Sequence, residues 1–146
     1  MRIRCEAEKA WLAAMIDGEG CILVSHDKKK DYYRSEIKVY SSDRELVEHC
    51  FNVAKCGFVG EDKRNAPDHH RQMYYWIVRT GMAAEVVKQV FPFLIAKQPQ
   101  AALIYTLNSM KANKAEHFDK FAEIKALVSQ LNQTRQAKLP KWVVYP

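Results

Sequence analysis

The chain has 146 residues, 48% hydrophobic and 27% charged, which suits one globular domain. It can bury roughly 70% of its unfolded surface without disulfides, and its composition excludes a disordered tail, a collagen-like repeat and a coiled-coil rod. The 23 Lys and Arg against 17 Asp and Glu leave a formal charge of +6, which points to an anionic partner, most often nucleic acid, although a merely basic soluble protein has the same balance. No apolar run approaches the ~18 residues of a bilayer span, and the N-terminus lacks a signal-peptide stretch. No membrane partner is expected, and an intracellular place is, with bacterial, phage and organelle-encoded origins all open.

Residues 6–17, rich in Ala and straight-chain side chains, read as a helix stopped by Gly18 and Gly20. Residues 20–30 and 32–42 read as a hairpin. Tyr33, Ser35, Ile37 and Val39 alternate with Tyr32, Arg34, Glu36, Lys38 and Tyr40, the period of a half-buried strand. Ser42-Asp43-Arg44-Glu45 has the pattern of a capping box, so a helix starts there; Leu46, Cys50 and Val53 form its apolar stripe and Gly57 ends it. Residues 58–64 and 70–79 make a second hairpin across Asn65-Ala66-Pro67-Asp68. A short helix over 82–90 is broken by Pro92, and Pro99 suits the first turn of a helix running to about Met110. A last helix covers about 116–134, with Phe118, Phe121, Ile124, Val128 and Leu131 on one face, before an irregular tail at Leu139–Trp142.

The expected fold is α+β, in the order α-β-β-α-β-β-α: one domain over 1–146, with a core over about 5–112 and a C-terminal helix over about 116–134. Two hairpins give one antiparallel four-stranded sheet with helices on one face. The other face would carry Tyr32, Arg34, Lys38 and Tyr40, an odd surface unless something binds it. The four cysteines, Cys5, Cys21, Cys50 and Cys56, contain no CxxC pair, so free thiols are expected. A zinc site from Cys50, Cys56, His69 and His70 matches no strong spacing pattern.

The first helix ends Leu12-Ala13-Ala14-Met15-Ile16-Asp17-Gly18-Glu19-Gly20. This stretch resembles the LAGLIDADG motif of homing endonucleases, differing at Ala14, Met15, Gly18 and Glu19, each a change within its chemical class. The order of strands and helices after it is that of the family. Pro92-Phe93-Leu94-Ile95-Ala96-Lys97-Gln98-Pro99-Gln100-Ala101 is similar to the family's second characteristic stretch, and Phe121 to Asn132 to the C-terminal region of its small single-motif members. The resemblance covers nearly the whole chain and implies the family's saddle-shaped sheet.

The motif also has its own physical logic. Ala10, Ala14 and Gly18 recur every fourth residue on one helical face. Small side chains let two helix backbones approach closely. With one such helix in the chain, the partner is expected to be the same helix of a second copy, rather than another part of the monomer. A two-fold axis then brings both helix ends together. Two Glu19 carboxylates beside one axis would suit hard divalent cations, and paired cations can clamp the attacking and leaving oxygens of a phosphodiester. The resemblance implies more: Glu19 as the metal carboxylate, the Gly18 carbonyl as a further ligand, Lys97 as the active-site lysine, Asp17 as a structural acid and Mg²⁺ as cofactor. Some family members place a glutamine and an arginine where this chain reads Ser41 to Glu45, and Arg44 is the one residue there that could serve.

A strand of about 10 residues spans roughly 33 Å, close to the 34–36 Å turn of B-DNA. One sheet could therefore follow one turn of major groove, and a dimer a pseudo-palindromic site. The expected contact set is Ser25, Asp27, Lys29, Tyr32, Arg34, Glu36, Lys38, Tyr40, Arg64, Gln72 and Tyr74, with Arg and Lys suited to guanine and Glu to cytosine. Lys28, Lys30 and Lys63 suit phosphates. Both faces of the fourth strand are apolar or aromatic, so Trp76 fits either the core or the DNA face. The function expected is a homodimeric, site-specific DNA endonuclease whose double-strand break initiates intron homing. The alternatives are a non-cleaving or bifunctional RNA maturase with intron RNA as partner, a DNA-binding protein of the same fold, and a basic interaction module.

Overall fold

The computed structural model describes residues 3–63, 71–111 and 114–146, the side chains of residues 114 and 115 excepted. The elements follow the expected order: α1 (Glu6–Glu19), β1 (Gly20–Asp27), β2 (Tyr32–Ser41), α2 (Arg44–Ala54), β3 (Phe58–Glu61), β4 (Tyr74–Arg79), α3 (Thr80–Val90), α4 (Gln98–Met110) and α5 (Lys114–Thr134), with a 3₁₀ turn at Phe91–Phe93 between α3 and α4. The four strands form one sheet in the order β1-β2-β4-β3, all antiparallel.

The alternation in β2 sets the two faces of the sheet. Tyr33, Ser35, Ile37 and Val39 are buried, and the residues between them are half-buried or exposed. Ile37 lies opposite Ile22 of β1 and Val78 of β4, and all three are closed off from solvent. Leu12, Ala13 and Ile16 of α1, Val47, Cys50 and Val53 of α2, and Val86, Val87 and Val90 of α3 cover this face. A second cluster joins Tyr33 to Leu103 and Leu107 of α4 and to Phe121, Ile124, Val128 and Leu131 of α5. Thr106 of α4 pins the tail, its Oγ1 accepting from the Val144 amide at 2.9 Å.

Several local expectations shift. The N-cap of α2 is Asp43, whose side chain accepts from the Glu45 amide at 3.0 Å, while Ser41 Oγ accepts from the Asp43 amide at 2.9 Å; Ser42 is not the cap. Cys50 and Val53 of the expected stripe are buried, but Val47, three residues before Cys50, takes the inner position in place of Leu46, which is exposed. The helix ends at Ala54 with Lys55 in the left-handed region, ahead of Gly57. Gly57 has φ +84°, and a Cβ there would lie 2.3 Å from the Ile77 carbonyl oxygen, so only glycine lets the chain enter β3 against β4. Phe118 is 40% exposed, while Phe121 at 2% anchors the α5 stripe. Cys50 and Cys56 are packed in the core, where burial pushes the Cys50 thiol up to about 12; His69 and His70 lie outside the described residues, and among those described no cluster of three or more metal-ligating side chains forms. Among the described residues no helix is long and apolar enough to cross a membrane.

The two phenylalanines of α5 separate by burial. Phe121→Ala should lower the unfolding free energy by about 3–5 kcal/mol. Phe118→Ala should cost only about 1 kcal/mol, the scale of its edge contact with Tyr33. Urea unfolding of the two variants checks this, and equal losses would mean that α5 packs in another rotation.

Candidate active site and nucleic-acid interface

Helix α1 runs into β1 with no loop. Gly20 is extended, and its amide donates to the Ile16 carbonyl. A Cβ at Gly20 would stand 2.7 Å from the Ile16 oxygen and 3.0 Å from the Lys38 oxygen, so a glycine is required where helix meets sheet. This abrupt passage leaves Glu19 as the last helical residue, exposed, with no hydrogen bond or ion pair to a described residue. The face of α1 that carries Leu12, Ala13 and Ile16 is buried. The opposite stripe is not packed inside the chain: Ala10 is half-buried, Ala14 and Gly18 are exposed, and a Cβ at Gly18 would meet nothing within 4 Å.

Asp17 ties this helix end to the segment before α4. Its carboxylate accepts from the Ile95 amide at 2.7 Å and from the Lys97 amide at 3.0 Å. Lys97 caps α4, and its Nζ donates to the Asp17 carbonyl at 2.6 Å. A cation at the C-terminal end of α1 is favoured by the helix dipole, so Lys97 is placed by two independent contacts within one turn of Glu19. One of its N–H groups is committed to Asp17, leaving two for another acceptor. Cys21, next along β1, registers the same positive surroundings: burial raises its thiol, while Lys97 and Lys38 pull it down.

The donor set at this corner is oxygen, which suits a hard divalent cation. Among the described residues it is not part of any group of three or more possible metal-ligating side chains. Asp17 spends its carboxylate on backbone amides, so Glu19 and the peptide carbonyls beside it are what this end of α1 offers. Arg44 does not extend the site. It is held by Glu48 at 2.7 Å and Glu61 at 3.3 Å, above the ring of Tyr74.

The uncovered face of the sheet starts from this corner. Antiparallel register puts Cys21, Leu23, Ser25 and Asp27 of β1 beside Lys38, Glu36, Arg34 and Tyr32 of β2, and paired residues share a face. Of the expected contact residues, Ser25, Tyr32, Arg34, Glu36, Lys38 and Tyr40 stand here. Asp27 does too, but its carboxylate accepts from the amides of Lys29 (3.0 Å) and Lys30 (3.3 Å) and so holds the hairpin turn; Lys29 is exposed within that turn. Tyr32 is engaged by Lys111, 2.9 Å from its hydroxyl and 4.3 Å above its ring. Glu36 is already paired at both oxygens: Oε2 takes Arg79 Nε at 2.6 Å and Oε1 lies 3.3 Å from Lys38 Nζ.

The fourth strand reverses the expected facing. Lys38 pairs with Ile77 and Tyr40 with Tyr75, so Tyr75, Ile77 and Arg79 share the uncovered face. Tyr74 pairs with Ser41 and packs toward the core with Trp76, which is fully buried and donates through Nε1 to the Cys56 carbonyl at 2.9 Å. Tyr74 is therefore corrected off this face. Gln72 is exposed just before β4, and its amide nitrogen donates to the carbonyls of Asp62 (2.7 Å) and Met73 (3.0 Å) within the hairpin. Arg64 lies outside the described residues. Sequence reading missed Arg79, Tyr75 and Phe58. Phe58 opposes Ile77, meets Tyr75 edge-on at 6.2 Å, and lies 5.1 Å beneath the Arg79 guanidinium. The available signal was the period of two itself: once Trp76 is inside, residues 75, 77 and 79 must be outside.

The comparisons agree with this architecture. The LAGLIDADG endonuclease family model matches residues 12–125. No curated protein matches the chain. Among solved structures, the homing endonuclease I-CvuI in complex with DNA has a TM-score of 0.74 at 23% identity, over 92% of this chain and 87% of that one. The archaeal intron-encoded I-Vdi141I, complexed with DNA, has a TM-score of 0.72 at 15% identity, over 92% and 90%. The group I intron-encoded I-CeuI, also complexed with DNA, has 0.61 at 15%, over 97% and 72%. At these identities the structures carry the fold, and the family match, which runs from the last turns of α1 into α5, carries membership: this chain belongs to the LAGLIDADG endonuclease family.

Proposed function

We propose that the chain is a site-specific, divalent-metal-dependent DNA endonuclease that acts as a homodimer, with its break initiating the homing of an intron. The observation that carries this reading is the end of α1. A carboxylate with no hydrogen bond or ion pair to a described residue and an anchored ammonium stand together there, beside a helix stripe of small residues whose Ala14 and Gly18 are exposed. Family membership supports the endonuclease activity, and the DNA complexes of I-CvuI, I-Vdi141I and I-CeuI support duplex DNA as the substrate.

Close approach of two α1 helices along Ala10, Ala14 and Gly18 would bring two Glu19 carboxylates, with the nearby Gly18 carbonyls, to one axis. A divalent cation such as Mg²⁺ held there would neutralise charge on the scissile phosphate as the displacement proceeds. The Glu19 carboxylates would hold that cation. Lys97, fixed by Asp17, offers its remaining N–H groups to the charge that develops on phosphate oxygens. The uncovered sheet face, two copies wide, would lie along the major groove of a pseudo-palindromic target, with Arg34 directed to base edges and Lys28 to phosphates.

Cleavage of a plasmid carrying the intronless host allele tests the activity. Linear product is expected with Mg²⁺, none with Ca²⁺, and none from Glu19→Gln, which should still bind. Loss of binding in that variant would point to a folding role for Glu19, and tight binding with no cut in any metal would favour a non-cleaving binder. On the sheet face, Arg34→Ala should weaken binding and relax base preference at its position, while Lys28→Ala should leave preference intact and lower the salt slope by about one. A salt series on matched and mismatched targets checks this; identical effects of the two changes would undo the assignment of faces.

A further inference from the structure

The middle of the uncovered face is built around one carboxylate. Glu36 is the fifth residue of β2, its side chain only 13% exposed, and it holds two cations at once: Arg79 on β4 at 2.6 Å and Lys38, two residues along, at 3.3 Å. Its cross-strand neighbours are Leu23 and Arg79, so the group is centred on the three strands that make up the length of the face. The Arg79 guanidinium also rests on the ring of Phe58, which bears against Tyr75, and Tyr75 against Tyr40.

A carboxylate in the centre of a basic face is costly for binding a polyanion, since it cancels charge where phosphates would be attracted. Its gain is order. Long flexible cations lose side-chain entropy when a ligand immobilises them, and a partner that orders them beforehand removes that loss from the binding step. The ion pair uses Nε of Arg79 and leaves the two Nη groups of the fork, the geometry that meets O6 and N7 of guanine.

We infer that Glu36 is a positioning residue that presets Arg79 and Lys38 as base-reading cations, with Arg79 selecting guanine at the middle of each half-site. This rests on the proposed reading of the sheet as a DNA-binding face. It assigns to Arg79 a role in specificity, and to Glu36 selectivity gained at the expense of general affinity.

Those two effects move in opposite directions, which a merely structural role would not do. The probe is a randomised duplex library bound in Ca²⁺, with one random-sequence duplex for general affinity. Glu36→Gln should bind the random duplex about threefold more tightly, having lost a negative charge. It should also lose about tenfold of the discrimination at mid-half-site positions, keeping the outer ones. Arg79→Lys keeps the charge and the pairing with Glu36 but lacks the fork, so it should lose the same guanine preference with little change in general affinity; it serves equally if Glu36→Gln fails to fold. Undiminished mid-site preference in either folded variant would overturn the inference while leaving DNA reading intact. A wild-type protein that enriches no sequence would overturn the reading beneath it, and the inference with it.

Discussion

The Asp17 carboxylate is the contact on which the site depends. Helix α1 and the segment before α4 are far apart in sequence, and nothing local sets where one ends relative to the other. Asp17 settles it by accepting the amides of Ile95 and Lys97, while its own carbonyl accepts the Lys97 ammonium. Charge-assisted contacts to backbone amides are among the stronger hydrogen bonds, and three of them at one residue leave little freedom in the placement of Lys97. Glu19 is then set two residues beyond that anchor and held outward by a glycine that cannot be replaced without moving Ile16 or Lys38. Asp17, expected as a structural acid, is thereby occupied in holding the frame, and Glu19, which closes the helix, makes no hydrogen bond or ion pair to a described residue.

The same helix divides its faces cleanly. Leu12, Ala13 and Ile16 close the core over the sheet, while Ala14 and Gly18 stay outside, and Ile95, whose amide meets the Asp17 carboxylate, is 88% exposed. The sheet behaves in a complementary way. One side is filled by helices, and the other carries cations, rings and a single central carboxylate in an ordered register.

Much of this was legible in the sequence, for identifiable reasons. β2 alternates strictly, so its buried and open residues follow from the period of two, and the open set from Tyr32 to Tyr40 stands where expected. The first helix carries a motif of nine residues in which Gly20 has a steric reason for its place and Asp17 a hydrogen-bonding one. β4 defeated the same method because Tyr74, Tyr75, Trp76 and Ile77 give both faces equal apolar character; the register with β2 and the indole bond to Cys56 decide it. The start of α2 is Asp43 rather than Ser42, since both residues are good caps, and Val47 rather than Leu46 joins Cys50 and Val53 inside, since both are apolar neighbours beside the same stripe. The engagement of Glu36, Arg44 and Tyr32 by other side chains is tertiary, and no spacing in the sequence announces it.

On the proposed reading, a second copy laid along Ala10, Ala14 and Gly18 completes the site. Cross-linking tests it most directly. In a Cys5→Ser background, Ala14→Cys is oxidised under mild conditions beside the same background without it. Two helices in close contact bring such thiols within the roughly 4.4–6.8 Å Cα separation of a disulfide, so the account predicts a covalent dimer that depends on Ala14→Cys. A folded Ala14→Cys chain that stays monomeric on oxidation would contradict it.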